Sequence, residues 1–114
     1  MQDKINEDQL STVVIDLGAA RRGEVNESYL TVLGTGIQYA LEQMFAASPQ
    51  GSLKLKGAPA EIQAFLATLG AERNYIDSFK RYGLDNPNTY SDGRRLSNAA
   101  RDFERKTGLK WPFK

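Results

Sequence analysis

The pattern of apolar residues predicts a mostly helical α+β domain: about four helices around one long central helix, with a single short strand. Three observations predict it. Between residues 58 and 82, Ile62, Phe65, Leu66, Leu69, Ile76 and Phe79 recur at helical spacing, a stripe longer than any other in the chain. The stretch Ser52-Leu53-Lys54-Leu55-Lys56 alternates with period two, as a half-buried strand does. Three further stretches, around residues 10–20, 29–45 and 96–103, repeat the helical spacing on a smaller scale.

A chain of 114 residues is one domain, residues 1–114, and 40% apolar content supplies a modest core. Formal net charge is +1, which argues against a globally basic nucleic-acid coat. With no Cys and no His, disulfides, thiolate chemistry, the commonest general base and the commonest metal ligand are all missing. No apolar run approaches the roughly 20 residues that span a bilayer. The N-terminus, Met-Gln-Asp-Lys-Ile-Asn-Glu-Asp, is too polar for a signal peptide. The expectation is an intracellular domain without membrane, metal or cofactor.

Taken in order, Asn6 is placed to cap a first helix with Gln9 at the capping-box position. Leu10, Val13, Val14, Leu17 and Ala20 form its stripe, Arg21 and Arg22 suit its negative end, and Gly23 closes it. The run Thr12-Val13-Val14-Ile15 competes for a strand because it is β-branched; the spacing and polar flanks favour the helix. Asn26 caps a second helix, whose apolar side is Tyr29, Leu30, Leu33, Ile37, Ala40, Leu41, Met44 and Phe45. Gly34 and Gly36 inside it cost about 1 kcal/mol each relative to Ala. Close contact with a neighbouring helix is the expected compensation. They do not form a phosphate loop, since no strand precedes them and no Gly-Lys-Ser/Thr follows.

Ser48-Pro49-Gln50-Gly51 reads as a turn. In the strand that follows, Leu53 and Leu55 share one face while Lys54 and Lys56 share the other. A lone strand leaves backbone groups unpaired. It must pair with the N-terminal β-branched run, with the tail 110–113 at an edge, or with its twin in a homodimer, or else not be a strand. Pro59 opens the central helix, Glu61 sits at its positive end and Gly83 stops it. Residues 84–89 read as a loop carrying an Asn-Pro turn signal. The last helix is expected from near Ser91 or Asp92, with a narrow stripe of Leu96, Ala99, Ala100 and Phe103. Gly108 caps it and Leu109 supplies the accompanying apolar contact.

Enzyme chemistry is poorly supplied. Carboxylate pairs such as Glu24 with Glu27, or Asp102 with Glu104, lie in polar surroundings, where solvated surface is the plain reading. Asp85-Asn86-Pro87-Asn88 lacks the glycine and closing Glu of a calcium loop. No catalytic residue is assigned. Charge, by contrast, is polarised. Residues 94–114 carry seven Lys/Arg against two acids, net +5, and residues 1–28 carry three against six, net −3. The basic final helix, through Arg94, Arg95, Arg101, Arg105 and Lys106, could touch nucleic acid beside Trp111 and Phe113. Alternatively, the acidic part of one subunit meets the basic end of another, or the charges simply face solvent. A helix-turn-helix is disfavoured because 84–89 is long for that motif's turn. Tyr75, Phe79, Tyr82 and Tyr90 are expected to cluster near the end of the central helix. The tail either completes the core with these rings or docks in a partner's pocket through Trp111 and Phe113.

Two stretches, Asp16-Leu17-Gly18-Ala19-Ala20-Arg21-Arg22-Gly23-Glu24-Val25-Asn26-Glu27-Ser28 and Tyr82-Gly83-Leu84-Asp85-Asn86-Pro87 continued by Phe103-Glu104-Arg105-Lys106-Thr107-Gly108-Leu109-Lys110-Trp111-Pro112-Phe113, resemble small proteins of tailed phages and prophages. The resemblance implies a context, the bacterial host cytoplasm or the virion, and no binding residue. The expectation is a non-enzymatic protein acting through protein–protein interaction, as a homo-oligomer and a minor virion component. Its contacts are Leu53, Leu55, Trp111 and Phe113. Nucleic-acid binding by the basic helix, or inhibition of a host enzyme through the tail, are the alternatives.

Overall fold

The computed structural model describes residues 12–46 and 52–113. Its elements are β1 (Thr12–Asp16), α1 (Glu27–Phe45), β2 (Ser52–Lys56), α2 (Pro59–Tyr82) and α3 (Pro87–Thr107). The fold is mostly helical, with three helices among the described residues and one two-stranded parallel sheet.

The first helix expected from the sequence is corrected. Residues 12–16 are a strand, and turns follow to Gly23; the part of that helix before Thr12 lies outside the described residues. Strand β1 pairs with β2 in register Val13↔Leu53, Val14↔Lys54 and Ile15↔Leu55. The β-branched run therefore supplies the ladder that β2 needs, and long-range pairing overrides local helical spacing. Parallel pairing requires a crossover, and α1 lies within it.

Ile15 is buried, and Val13, Leu53 and Leu55 pack against the core, while Val14 and Lys54 on the other face are exposed. Helix α1 covers the apolar face. A Cβ at Gly36 would stand 3.0 Å from Ile15 Cγ1 and 3.5 Å from Val13 Cγ1. The close approach expected of the glycine pair is thus made to a strand, not to a helix. Gly34 faces the tail instead, with its nearest neighbour, Pro112 Cβ, at 4.0 Å.

Helix α2 spans the stretch that the sequence singled out, with Pro59 in its first turn and Gly83 at its end with φ +82°. Phe65 and Leu69 are buried, and Ile62 and Ile76 are partly so. Leu66 and Phe79 are about half exposed, so the predicted stripe is wider than the buried one. Helix α3 begins at Pro87, not near Ser91. The Asn86 side chain accepts from the Asn88 N–H at 2.9 Å, and proline suits the first helical position. The Asn-Pro pair is a helix cap rather than a loop.

Only residues 83–86 connect the two helices, which removes the loop-length ground against a helix-turn-helix. Paired positions give a different ground. Ser78 bonds Asp92, Thr68 Oγ1 donates to Ala99 O at 3.1 Å, and the Phe65 and Phe103 rings lie 6.2 Å apart. The helices thus run antiparallel along their length, whereas that motif crosses them at about 90–120°. Gly108 turns the chain in the left-handed conformation, φ +76°, and the tail folds back. Leu109 and Trp111 are buried, and Trp111 packs on Phe65 (5.8 Å) and edge-on against Phe103 (5.3 Å). No helix among the described residues is long and apolar enough to cross a membrane.

Candidate interaction face

The tail folds away Trp111 of the expected docking anchor and leaves Phe113 exposed. Trp111 is only 4% exposed, and its Nε1–H donates to Glu72 Oε1 at 2.8 Å. A ring held this way completes the core and is not offered to a partner, which corrects its assignment as a contact. The expected cluster of Tyr75, Phe79, Tyr82 and Tyr90 does not form the core either: Phe79, Tyr82 and Tyr90 are exposed, and the core rings are Phe65, Phe103 and Trp111. Leu53 and Leu55 pack inward from a strand that has its partner in β1, so β2 does not need a twin in a homodimer to pair its ladder. Phe113 is 44% exposed.

The basic residues divide into two sets. Arg95 bridges to Asp92 at 3.0 Å; Arg105 pairs with Asp102, as does Lys106 at 3.2 Å. Arg94 and Lys110 form no ion pair among the described residues, and Arg101 donates to the neutral Asn98 side chain.

Three depressions adjoin along this side of α3. An open groove of about 720 Å³ is lined by Tyr75, Leu84, Tyr90, Gly93, Arg94 and Ser97 among others. A smaller one of about 200 Å³ joins it at Tyr75 and Gly93 and is walled by Leu96 and Phe113. A third of about 300 Å³ shares Ser97 and includes Arg101, Glu104 and Lys110. Tyr90, Arg94, Ser97 and Arg101 are four, three and four residues apart, which aligns them on one helical ridge. Gly93 lets Tyr75 lie against α3: a Cβ there would sit 3.2 Å from Tyr75 Cε1. Tyr90 is 64% exposed. The face therefore combines exposed rings with three cations that have no carboxylate partner among the described residues, and two acids, Asp85 and Glu104, border it.

A second polar cluster closes the C-terminal ends of the strands. Arg21 forks onto Glu61, Nε to Oε2 at 2.8 Å and Nη2 to Oε1 at 3.0 Å, and the Ala58 N–H donates to the same carboxylate at 2.8 Å. Arg22 binds Asp16 and Glu24, and Asp16 also accepts from the Gly18 N–H at 3.0 Å. Hydrogen bonding from Arg21 holds the buried Glu61 carboxyl below its ordinary range against the opposing effect of burial. Arg22 does the same for Asp16, and both guanidiniums are correspondingly harder to deprotonate. Burial raises Tyr29, whose hydroxyl donates to the Asp16 carbonyl. Charges matched in this way tie the β1 turn to the start of α2. Sequence signals place Arg21 and Arg22 at a helix end and miss their partners, since nothing local connects residue 21 to residue 61.

Among the described residues no group of three or more acidic, His or Cys side chains could hold a metal ion. No family model matches the chain, and no curated protein or solved structure matches it.

Proposed function

We propose that the chain is a non-enzymatic protein-interaction domain that self-associates through the α3–tail face. Its setting is the one the phage resemblance implies, a bacterial cytoplasm or a virion of which it is a minor component. The observation that carries the reading is the grouping of exposed Tyr90 and Phe113 with Arg94, which no carboxylate neutralises among the described residues. Tyr and Arg dominate the energetics of protein interfaces, where they fill pockets that exclude water. Asp85 and Glu104 border the same face. They lower its local charge to a level that suits a protein partner better than a phosphate backbone, which binds through many neutralised phosphates at once.

Light scattering on the wild-type chain and on Tyr90→Ala/Phe113→Ala tests it. The wild type is expected to be heavier than one chain and the double variant monomeric, with unchanged circular dichroism. Equal masses for the two would show that this face is not the contact.

A further inference from the structure

Building on that reading of the α3–tail face, we infer that its occupant is the acidic N-terminal portion of a second copy, so that chains assemble head to tail. Setting aside the charges matched among the described residues leaves the groups available to a partner. Of the basic groups on α3, Arg95, Arg105 and Lys106 are engaged with Asp92 and Asp102. Arg94, Arg101 and Lys110 have no carboxylate partner among the described residues, and all three line the adjoining depressions. On the acidic side, Asp16 and Glu24 are engaged by Arg22. Glu27 has no ion pair among the described residues, and the sequence adds Asp3, Glu7 and Asp8, against the single Lys4, ahead of β1. The same segment carries Met1, Ile5 and Leu10, apolar groups of the kind that Tyr75, Leu84, Tyr90 and Phe113 can cover. Complementary charge and complementary apolar character thus occur in two different stretches of one sequence. A contact between unlike surfaces is heterologous, and it grows into a ring or a filament rather than stopping at a dimer.

The test neutralises each side separately in the full chain: Asp3→Asn/Glu7→Gln/Asp8→Asn on one, Arg94→Gln/Arg101→Gln/Lys110→Gln on the other. Wild type is expected to exceed a dimer at low salt and to lose mass at high salt, where exposed charge pairs are screened. Each variant alone is expected to be monomeric. Mixed in equal amounts, they retain one intact acidic segment and one intact basic face, so they should form a 1:1 heterodimer that cannot grow. Association that survives neutralising the acidic residues but not Tyr90→Ala/Phe113→Ala would overturn the inference while leaving the interaction face in place. A monomeric wild type overturns both. If that monomer also raised the anisotropy of a labelled oligothymidine, and the basic-face variant did not, the face would belong to nucleic acid.

Discussion

Trp111 shows how one side chain decides whether the tail is an arm or part of the body. Its ring touches Phe65 and Phe103, and its N–H reaches Glu72. Trp111→Ala should cost about 3–5 kcal/mol through lost burial and the cavity left behind. Trp111→Phe keeps most of the packing but removes a donor to a carboxylate, a bond worth about 1.5–3 kcal/mol. Urea midpoints that rank wild type, Phe and then Ala would bear this out. The helical glycines separate by environment. At Gly34 and Gly70 an added Cβ meets nothing closer than 4.0 Å, so Ala there should stabilise by up to about 1 kcal/mol. Gly36→Val would drive a branched side chain into Ile15 and should cost about 1–3 kcal/mol. Thermal melts of the three variants give the signs. Glu61 and Asp16 titrate below their ordinary values when folded. Their contribution to stability is therefore present above the unfolded carboxylate range and is lost as pH falls through the lowered values. Glu61→Gln should flatten the dependence of the urea midpoint on pH in that acidic window.

At the scale of elements, local rules succeed where an element satisfies itself and fail where it needs another. Asn26 and Asn86 both cap helices through their side chains. Asn86→Ala should cost about 1 kcal/mol, measured as a fall in melting temperature. Helix α2 is legible from Pro59, its apolar spacing and Gly83, because those signals lie within it. Strand β1 is misread as helix because its five residues make hydrogen bonds forty positions away, and no local pattern encodes a partner. The Asp92–Arg95, Asp102–Arg105 and Asp102–Lys106 pairs are readable in principle, since such spacings place charges side by side on a helix. Applied to the basic helix, that spacing rule separates Arg95, Arg105 and Lys106 from Arg94 on sequence alone, but it also offers Glu104 to Arg101, which turns to Asn98 instead.

For the whole molecule, the tail is structural at Leu109 and Trp111 and exposed at Phe113. Deleting residues 109–114 should lower stability sharply, whereas Phe113→Ala should leave the melt nearly unchanged and act on self-association alone. Circular dichroism melts beside light scattering separate the two effects. Charge polarisation also belongs to this scale. It is visible in the sequence as net −3 against net +5, and folding leaves part of it unmatched within the described chain.

Composition, periodicity and end signals alone determined a mostly helical chain with a long central helix, a period-two strand, a capped final helix and a polarised charge. Those features arise from interactions between residues close in sequence. Tertiary structure decided which segment pairs with β2, which strand Gly36 lies against, that Arg21 meets Glu61, and that Trp111 turns inward beside Phe65 and Phe103. It also brought Phe113 against Tyr75 and Gly93, and Lys110 beside Ser97 and Arg101. Each of these joins residues distant in the chain, and such contacts form only when burial of the shared core outweighs the entropy of closing the loops between them.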